Sequence, residues 1–253
     1  MTDEISRQRS GAVLELRFSR PDRKNAITGA MYSALAEGLG EAERDESIRV
    51  VTVAGSEGSF TAGNDLRDFQ QAAPGEAERP VAHFLEAIST FPKIIVAGVA
   101  GPAVGVGTTM LLHCDLVIAA PSALFSLPFV DLGLVPEAGS SLLLPRLIGR
   151  QRAAKHLILG EPFDAETALG YGLVSEIVRE DALDARVRAV AERIAAKPPE
   201  AVRLTKKLLR GDPSAVRQRI ADESALFGER LQSPEAAEAF AAFFEKRSPN
   251  FSR

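Results

Sequence analysis

The sequence predicts an α/β fold with a helical C-terminal region. Two observations carry this expectation. Short apolar runs rich in β-branched residues alternate with helix-like stretches, and repeated strand-then-helix units place parallel strands under covering helices. Beyond about residue 181 the strand-like runs stop, and breaks at "PP" (198–199), "GDP" (211–213) and "SP" (233–234) divide a nearly all-helical tail. We therefore expect a core over residues 1–195 and a helical region over residues 196–253.

Taken in order, "AVLELRF" (12–18) alternates like a half-buried strand. "RPDRKNAIT" follows as a polar loop, and residues 29–45 read as an amphipathic helix. "VVTVAG" is a short buried strand and "SEGSFTAGNDL" a Gly/Ser-rich loop after it. Residues 71–80 read as a mobile loop, with a helix from there to about Phe91. "IIVAGVAG" is a third buried strand, and "AVGVGTTMLLHC" reads as a helix opening at glycines. "DLVIAA" and "ALFSL" are further strands, and the alternation continues to "GLVSEIV" (172–178).

A chain of 253 residues, 45% hydrophobic and 25% charged, is long enough to bury a large core. The net charge of −4 argues against nucleic acid as the main partner. The only cysteine, Cys114, excludes an intramolecular disulfide and a Cys-based zinc site, and favours a reducing compartment. The N-terminal "MTDEISRQRSG" lacks an apolar signal core, and glycines and a proline break the one long apolar run. A cytoplasmic protein without a membrane partner is expected.

Much chemistry is excluded. Neither a Gly-x-Ser-x-Gly elbow nor a Walker loop occurs, and Met110 replaces the third glycine of a dinucleotide fingerprint in "GVGTTM". His83, His113 and His156 lack metal-ligand spacing, so no metal is expected. Two glycine-containing loops remain. In "FTAGNDL" (60–66), small residues let backbone approach a ligand, although Asp65 also reads as a helix cap. In "GPAVGVGTTM" (101–110), a helix N-terminus offers free N–H groups, although glycines also serve close packing. If the two loops meet, each can donate one backbone N–H to a single oxygen, forming an oxyanion hole.

Six segments then fall into a familiar order: "RPDRKNAI", "GSFTAGNDL", "KIIVAGVAGPAVGVGTTMLLHCDLVIA", "LGLVPEAGSS", "GEPFDAETALGYGLVSEIV" and "FFEKRSPNF". Over nearly its whole length the chain resembles the enoyl-CoA hydratase/isomerase (crotonase) superfamily. The resemblance implies an α/β crotonase-like ββα spiral core with a C-terminal helical region, assembled as homotrimers or dimers of trimers. It implies an acyl-CoA thioester substrate in fatty-acid or related metabolism. No separate cofactor is implied, because coenzyme A is part of the substrate. By motif, Asn64 and Val106 supply the oxyanion N–H groups. Arg23, Lys24, Ala62, Asp65, Leu66, Phe129, Phe243 and Lys246 fall at substrate- or CoA-binding positions. In the family the tail residues often close over the nucleotide from a neighbouring subunit.

The chain departs from the hydratases of that family. The two glutamates that add water are replaced by Thr109 and Phe129, neither of which can be a general acid or base. Glu137, in "VPEAGSS", falls where peroxisomal-type Δ3,Δ2-enoyl-CoA isomerases carry their single catalytic glutamate, and "GNDL" and "GPAVGV" resemble that subgroup most. Locally Glu137 reads equally as a first-turn helix carboxylate. Asp131 is the second candidate carboxylate, while Asp115 reads as a helix end or strand start. The expected activity is double-bond isomerisation. The alternatives are hydration or another crotonase reaction, such as thioester hydrolysis or dehalogenation, and a non-catalytic acyl-CoA binder. "QAAPGEAERPVAHF" (71–84) is expected to shape the acyl pocket.

Overall fold

The computed structural model describes residues 3–71 and 78–251; residues 72–77 of the segment expected to shape the acyl pocket lie outside them. The strands in chain order are β1 (Ile5–Ser10), β2 (Val13–Phe18), β3 (Val50–Ala54), β4 (Ile94–Val99), β5 (Pro102–Val104), β6 (Leu116–Ala119), β7 (Leu124–Ser126), β8 (Phe163–Asp164) and β9 (Glu176–Ile177). The helices are α1 (Gly29–Arg44), α2 (Leu66–Gln71), α3 (Glu78–Thr90), α4 (Val106–Thr109), α5 (Ser140–Ile148), α6 (Arg150–Ile158), α7 (Ala165–Tyr171), α8 (Leu183–Ala195), α9 (Pro199–Arg210), α10 (Ser214–Leu231) and α11 (Pro234–Glu245).

Strands β1-β2-β3-β4-β6-β9 form one sheet in that order, and β5-β7-β8 a second, smaller one. From β2 to β9 the large sheet is parallel, as the strand-then-helix pattern requires. Strand β1, which the sequence reading missed, adds an antiparallel edge through a hairpin at Gly11 (φ +57°). Its "ISRQRS" carries polar residues and buries only Ile5 fully, so it lacks the apolar signal of a central strand.

Both faces of the sheet are covered, and period-2 alternation sorts the side chains. Leu14, Leu16, Val51, Val53, Ile95 and Ala97 enter the main core with α1 and α3. Val13, Val50 and Val96 face the other way and pack on Leu183, Val187 and Ala191 of α8. A Cβ at Gly98 would stand 2.8 Å from the Val187 side chain, so this glycine sets how closely α8 approaches. A third apolar cluster joins Phe129, Leu134 and Leu144 to Phe227, Ala236 and Phe240 of α10 and α11. It brings the helical tail against the segment that carries Glu137.

The helix expected at residues 103–114 starts later than expected, at Val106, and finishes as a 3-10 turn. Residues 102–104 are strand β5, paired in parallel with β7, and only a four-residue helix and a 3-10 turn (Met110–His113) follow. Strand pairing takes the first residues because Thr61 and Ser126 supply backbone partners on either side.

One buried side chain clasps the site-bearing loops. Asn25 has φ +57° and is fully buried. Its Nδ2 donates to the Ser59 carbonyl at 2.7 Å, and its Oδ1 accepts the Arg20 N–H at 2.9 Å. Replacing it with alanine leaves these backbone groups unpaired. We expect Asn25→Ala to cost roughly 2–4 kcal/mol and to lower the melting temperature by roughly 5–15 °C, read by thermal denaturation.

Candidate active site

The two glycine-containing loops meet. Thr61 N–H donates to the Pro102 carbonyl at 2.9 Å, and Val104 N–H donates to the Thr61 carbonyl at 3.0 Å. Only glycine fits at the crossing: a Cβ at Gly63 (φ +84°) would lie 2.7 Å from the Val104 carbonyl oxygen. The pairing leaves two donors over. Among the described residues, neither the Asn64 N–H nor the Val106 N–H has a protein acceptor. Val106 opens α4, where the first N–H groups of a helix lack intrahelical partners. The Asn64 side chain is held from behind by Tyr32, whose buried hydroxyl donates to Asn64 Oδ1.

Glu137 does not cap a helix. It sits in a turn in which Ala138 and Gly139 both adopt positive φ (+60° and +72°), and α5 begins only at Ser140. The capping is done by Glu223 of α10, whose carboxylate accepts the Gly139 N–H at 2.6 Å and the Ser141 N–H at 2.9 Å. On the other side, His113 Nε2 lies 2.7 Å from the Ala138 carbonyl oxygen. A carbonyl only accepts, so Nε2 carries the proton. Burial pushes the His113 pKa down to about 4, which keeps the ring neutral.

These contacts leave the Glu137 carboxyl group itself bare. It is 5% exposed, and Oε1 has no hydrogen-bond partner among the described residues. Burial, and then the negative charge of Glu223, push its pKa up to about 8. Burial, and then the Glu137 charge, hold the pKa of the Tyr32 hydroxyl well above its usual value, so it stays protonated and donates to Asn64. A buried carboxyl with a free oxygen and a pKa near neutrality is suited to taking and returning a proton.

A cavity of about 1030 Å³ opens beside this apparatus. Arg23, Ala62, Asn64, Asp65, Leu66, Phe129, Phe243 and Lys246 all line it, so the tail of this chain reaches its own cleft. Val106 and Glu137 are buried and are not among its wall residues, although the neighbouring Gly105 is. Lys24 is exposed and is not among the wall residues, and its backbone carbonyl accepts the Ala62 N–H at 2.9 Å. Arg20, which the sequence reading passed over, lines the wall instead and pairs with Asp65 at 2.7 Å. Asp65 is a helix cap as well as a wall residue, since it accepts the Arg67 N–H at 3.1 Å. Burial opposes its charge, but Arg20 and the helix N–H groups hold its pKa below the usual value. Lys246 has no carboxylate partner among the described residues.

The remaining candidates resolve simply. Asp131 is exposed on the cavity rim, against Gly160. Asp115 pairs with the buried Lys206 at 2.7 Å and accepts the Ile95 N–H, joining α9 to β4. Thr109 and Phe129 are both buried, and neither carries an ionisable group. His156 bonds the Glu161 carbonyl and Tyr171. His83 is exposed. No group of three His, Cys, Asp or Glu side chains suited to a metal exists among the described residues, nor is any helix long and apolar enough to cross a membrane.

Sequence and structure comparisons give the family and the fold. The family model described as enoyl-CoA hydratase/isomerase matches residues 8–253. The 1,2-epoxyphenylacetyl-CoA isomerase of Escherichia coli is 34% identical over 94% of this chain and 94% of its own length. Enoyl-CoA delta isomerase 2 of Rattus norvegicus is 35% identical over 79% of this chain, which spans 52% of that longer protein. The 2,3-dehydroadipyl-CoA hydratase of E. coli is 33% identical over 98% of this chain and 97% of its own. The crystal structure of an enoyl-CoA hydratase/isomerase from Pseudoalteromonas atlantica superposes with a TM-score of 0.94 at 43% identity, covering 99% of this chain and 100% of that one. With the whole fold matched and the family model spanning nearly every residue, the chain belongs to the enoyl-CoA hydratase/isomerase (crotonase) family of acyl-CoA enzymes.

Proposed function

We propose that the protein is a Δ3,Δ2-enoyl-CoA isomerase in which Glu137 moves the proton and the Asn64 and Val106 N–H groups hold the thioester oxygen. The observation that carries this reading is the bare, buried carboxyl of Glu137 in a chain that has Thr109 and Phe129 at the hydratase positions.

The chemistry follows from one base. Glu137 as carboxylate takes the proton from C2, and the electron pair moves toward the thioester oxygen to give a dienolate. The developing charge meets two amide donors that no acceptor among the described residues engages; a donor of this kind is worth on the order of 100- to 1,000-fold in rate. Glu137, now protonated, returns the proton at C4, and the C3–C4 double bond becomes C2–C3. A carboxylate with a pKa of about 8 is a stronger base than an ordinary glutamate and still a competent acid in the second step.

Lys246 and Arg23 at the cavity wall are suited to the CoA phosphates, and Leu66 and Phe243 to its apolar parts. Leu204, Leu208 and Leu209 on α9 are all exposed, which supports a trimer or dimer of trimers that covers them. Hydration remains the competing reading because hydratases are among the similar proteins. It requires activation of water without either hydratase glutamate.

Glu137→Gln should lower turnover of a 3-enoyl-CoA by at least about 100-fold, followed as formation of the conjugated thioester. Near-wild-type turnover in that variant, or wild-type hydration of a 2-enoyl-CoA faster than isomerisation, would contradict the proposal. The wild-type kcat/KM should rise with pH and level off above about 8, because the free enzyme must first lose the Glu137 proton. Stability carries the opposite sign. Folding favours the protonated form, so the contribution of Glu137 is fully present below the usual glutamate pKa and is lost as pH rises through about 8. Glu137→Gln should therefore melt several degrees above wild type at pH 8.5, at roughly 2–4 °C per kcal/mol, with a smaller difference at pH 5.

A further inference from the structure

We propose that Glu223 is a positioning residue for the reaction: by capping the turn at residues 138–141 it holds Glu137 out of the helix, and its charge sets when Glu137 can act as a base. The inference rests on the reading of Glu137 given above.

The geometry is specific. Helix α5 could in principle begin at Glu137, which follows a proline and would then be an ordinary solvated first-turn acid. It begins three residues later because Ala138 takes φ +60°, a conformation that alanine adopts only when its surroundings impose it. Two groups impose it. His113 donates to the carbonyl of Ala138, and the Glu223 carboxylate accepts the next N–H, that of Gly139, together with that of Ser141. The backbone is thus gripped on both sides of one peptide unit, immediately after Glu137.

Glu223 is 5% exposed, so it is a built feature of the interior and not a surface acid. Both of its oxygens are engaged, one by each N–H. Burial raises its pKa, while those N–H groups and Arg219 on the same helix favour the charged form. Arg219 reaches the Ser141 hydroxyl at 3.0 Å, beside the cap.

The titratable and charged groups facing Glu137 and its turn are therefore Glu223 and Arg219 from α10, Tyr32 from α1, and His113 from the 3-10 turn, itself near Lys206 and Arg210 of α9. Among these groups it is the Glu223 charge, acting after burial, that disfavours the Glu137 carboxylate. Burial is the larger cause of the late ionisation of Glu137, and the charge of this helical-tail residue adds to it. Only a ligand that favours the charged form can offset this at lower pH.

The test is the pH dependence of kcat/KM on a 3-enoyl-CoA for wild type, Glu223→Gln, Glu223→Asp and Glu137→Gln, with a melting curve for each. Glu223→Gln removes the charge and keeps one carbonyl acceptor. Its profile should shift to lower pH by several tenths of a unit or more, and its plateau should fall at least fivefold. Glu223→Asp keeps the charge on a shorter arm. Its profile should keep the wild-type midpoint while kcat falls at least fivefold with KM unchanged, and this variant decides the matter if the glutamine form does not melt cooperatively. A wild-type midpoint in Glu223→Gln, or a wild-type kcat in Glu223→Asp, overturns the inference. Lowered melting temperatures with unchanged kinetics overturn it too, since they mark a merely structural cap. If Glu137→Gln itself keeps wild-type turnover, the assignment of Glu137 as the base fails instead, and the two failures are told apart.

Discussion

The site depends on two backbone hydrogen bonds between Thr61 and the strand Pro102–Val104. They zip the loop after β3 onto β5, and β5 in turn is paired with β7. Because the contacts are main chain to main chain, they fix the two loops without spending any side chain on the task. What is left over at the ends of this short ladder is an N–H on Asn64 and an N–H on Val106. A Cβ at Gly63 or Gly107 would intrude at 2.7 Å and 2.6 Å on the opposing loop, so close approach is built into both segments. Preorganisation of this kind matters because donors already in place need no reorganisation as charge develops.

Glu137 is the counterpart to that rigid wall. Its burial, with no partner for Oε1 among the described residues, disfavours the charged form, while the Ala138 carbonyl and the Gly139 N–H beside it are both engaged. His113 is neutral, so it contributes a hydrogen bond without a charge that would stabilise the carboxylate. Glu223 contributes the reverse, a carboxylate that satisfies two N–H groups while disfavouring a second negative charge nearby. Stability and reactivity are in opposition at this turn, as is common where a site holds a group in an unfavourable state.

Much of this was legible in the sequence, and the illegible parts have physical reasons. Buried parallel strands such as "VVTVA" and "IIVAGV" announce themselves by continuous apolar runs. Strand β1 does not, because an edge strand needs only Ile5 inside. The glycines of "TAGND" and "AVGVG" pointed to close backbone approach, and the structure supplies the approaching partner. In "AVGVGTTM" the helix runs over Val106–Thr109, but Ala103 and Val104 become strand because their backbone partners at Thr61 and Ser126 are distant in sequence. Glu223 was invisible for the same reason: it lies 84 positions from the amide it caps, in a helix whose local pattern is that of a surface helix. Arg20 lines the cavity and Lys24 does not, since the chain turns sharply between them, with Lys24 at φ +50°.

The most direct test of the account is exchange of the α-proton of a bound saturated acyl-CoA in D2O, followed by NMR. Such a ligand carries the thioester and the C2 proton but has no double bond to move, so it isolates the first step. The account predicts deuterium at C2 with the wild-type enzyme and at least about 100-fold slower incorporation with Glu137→Gln. Equal exchange by the two proteins would place the base elsewhere, and no exchange by either would mean that the chain binds acyl-CoA without drawing a proton from it.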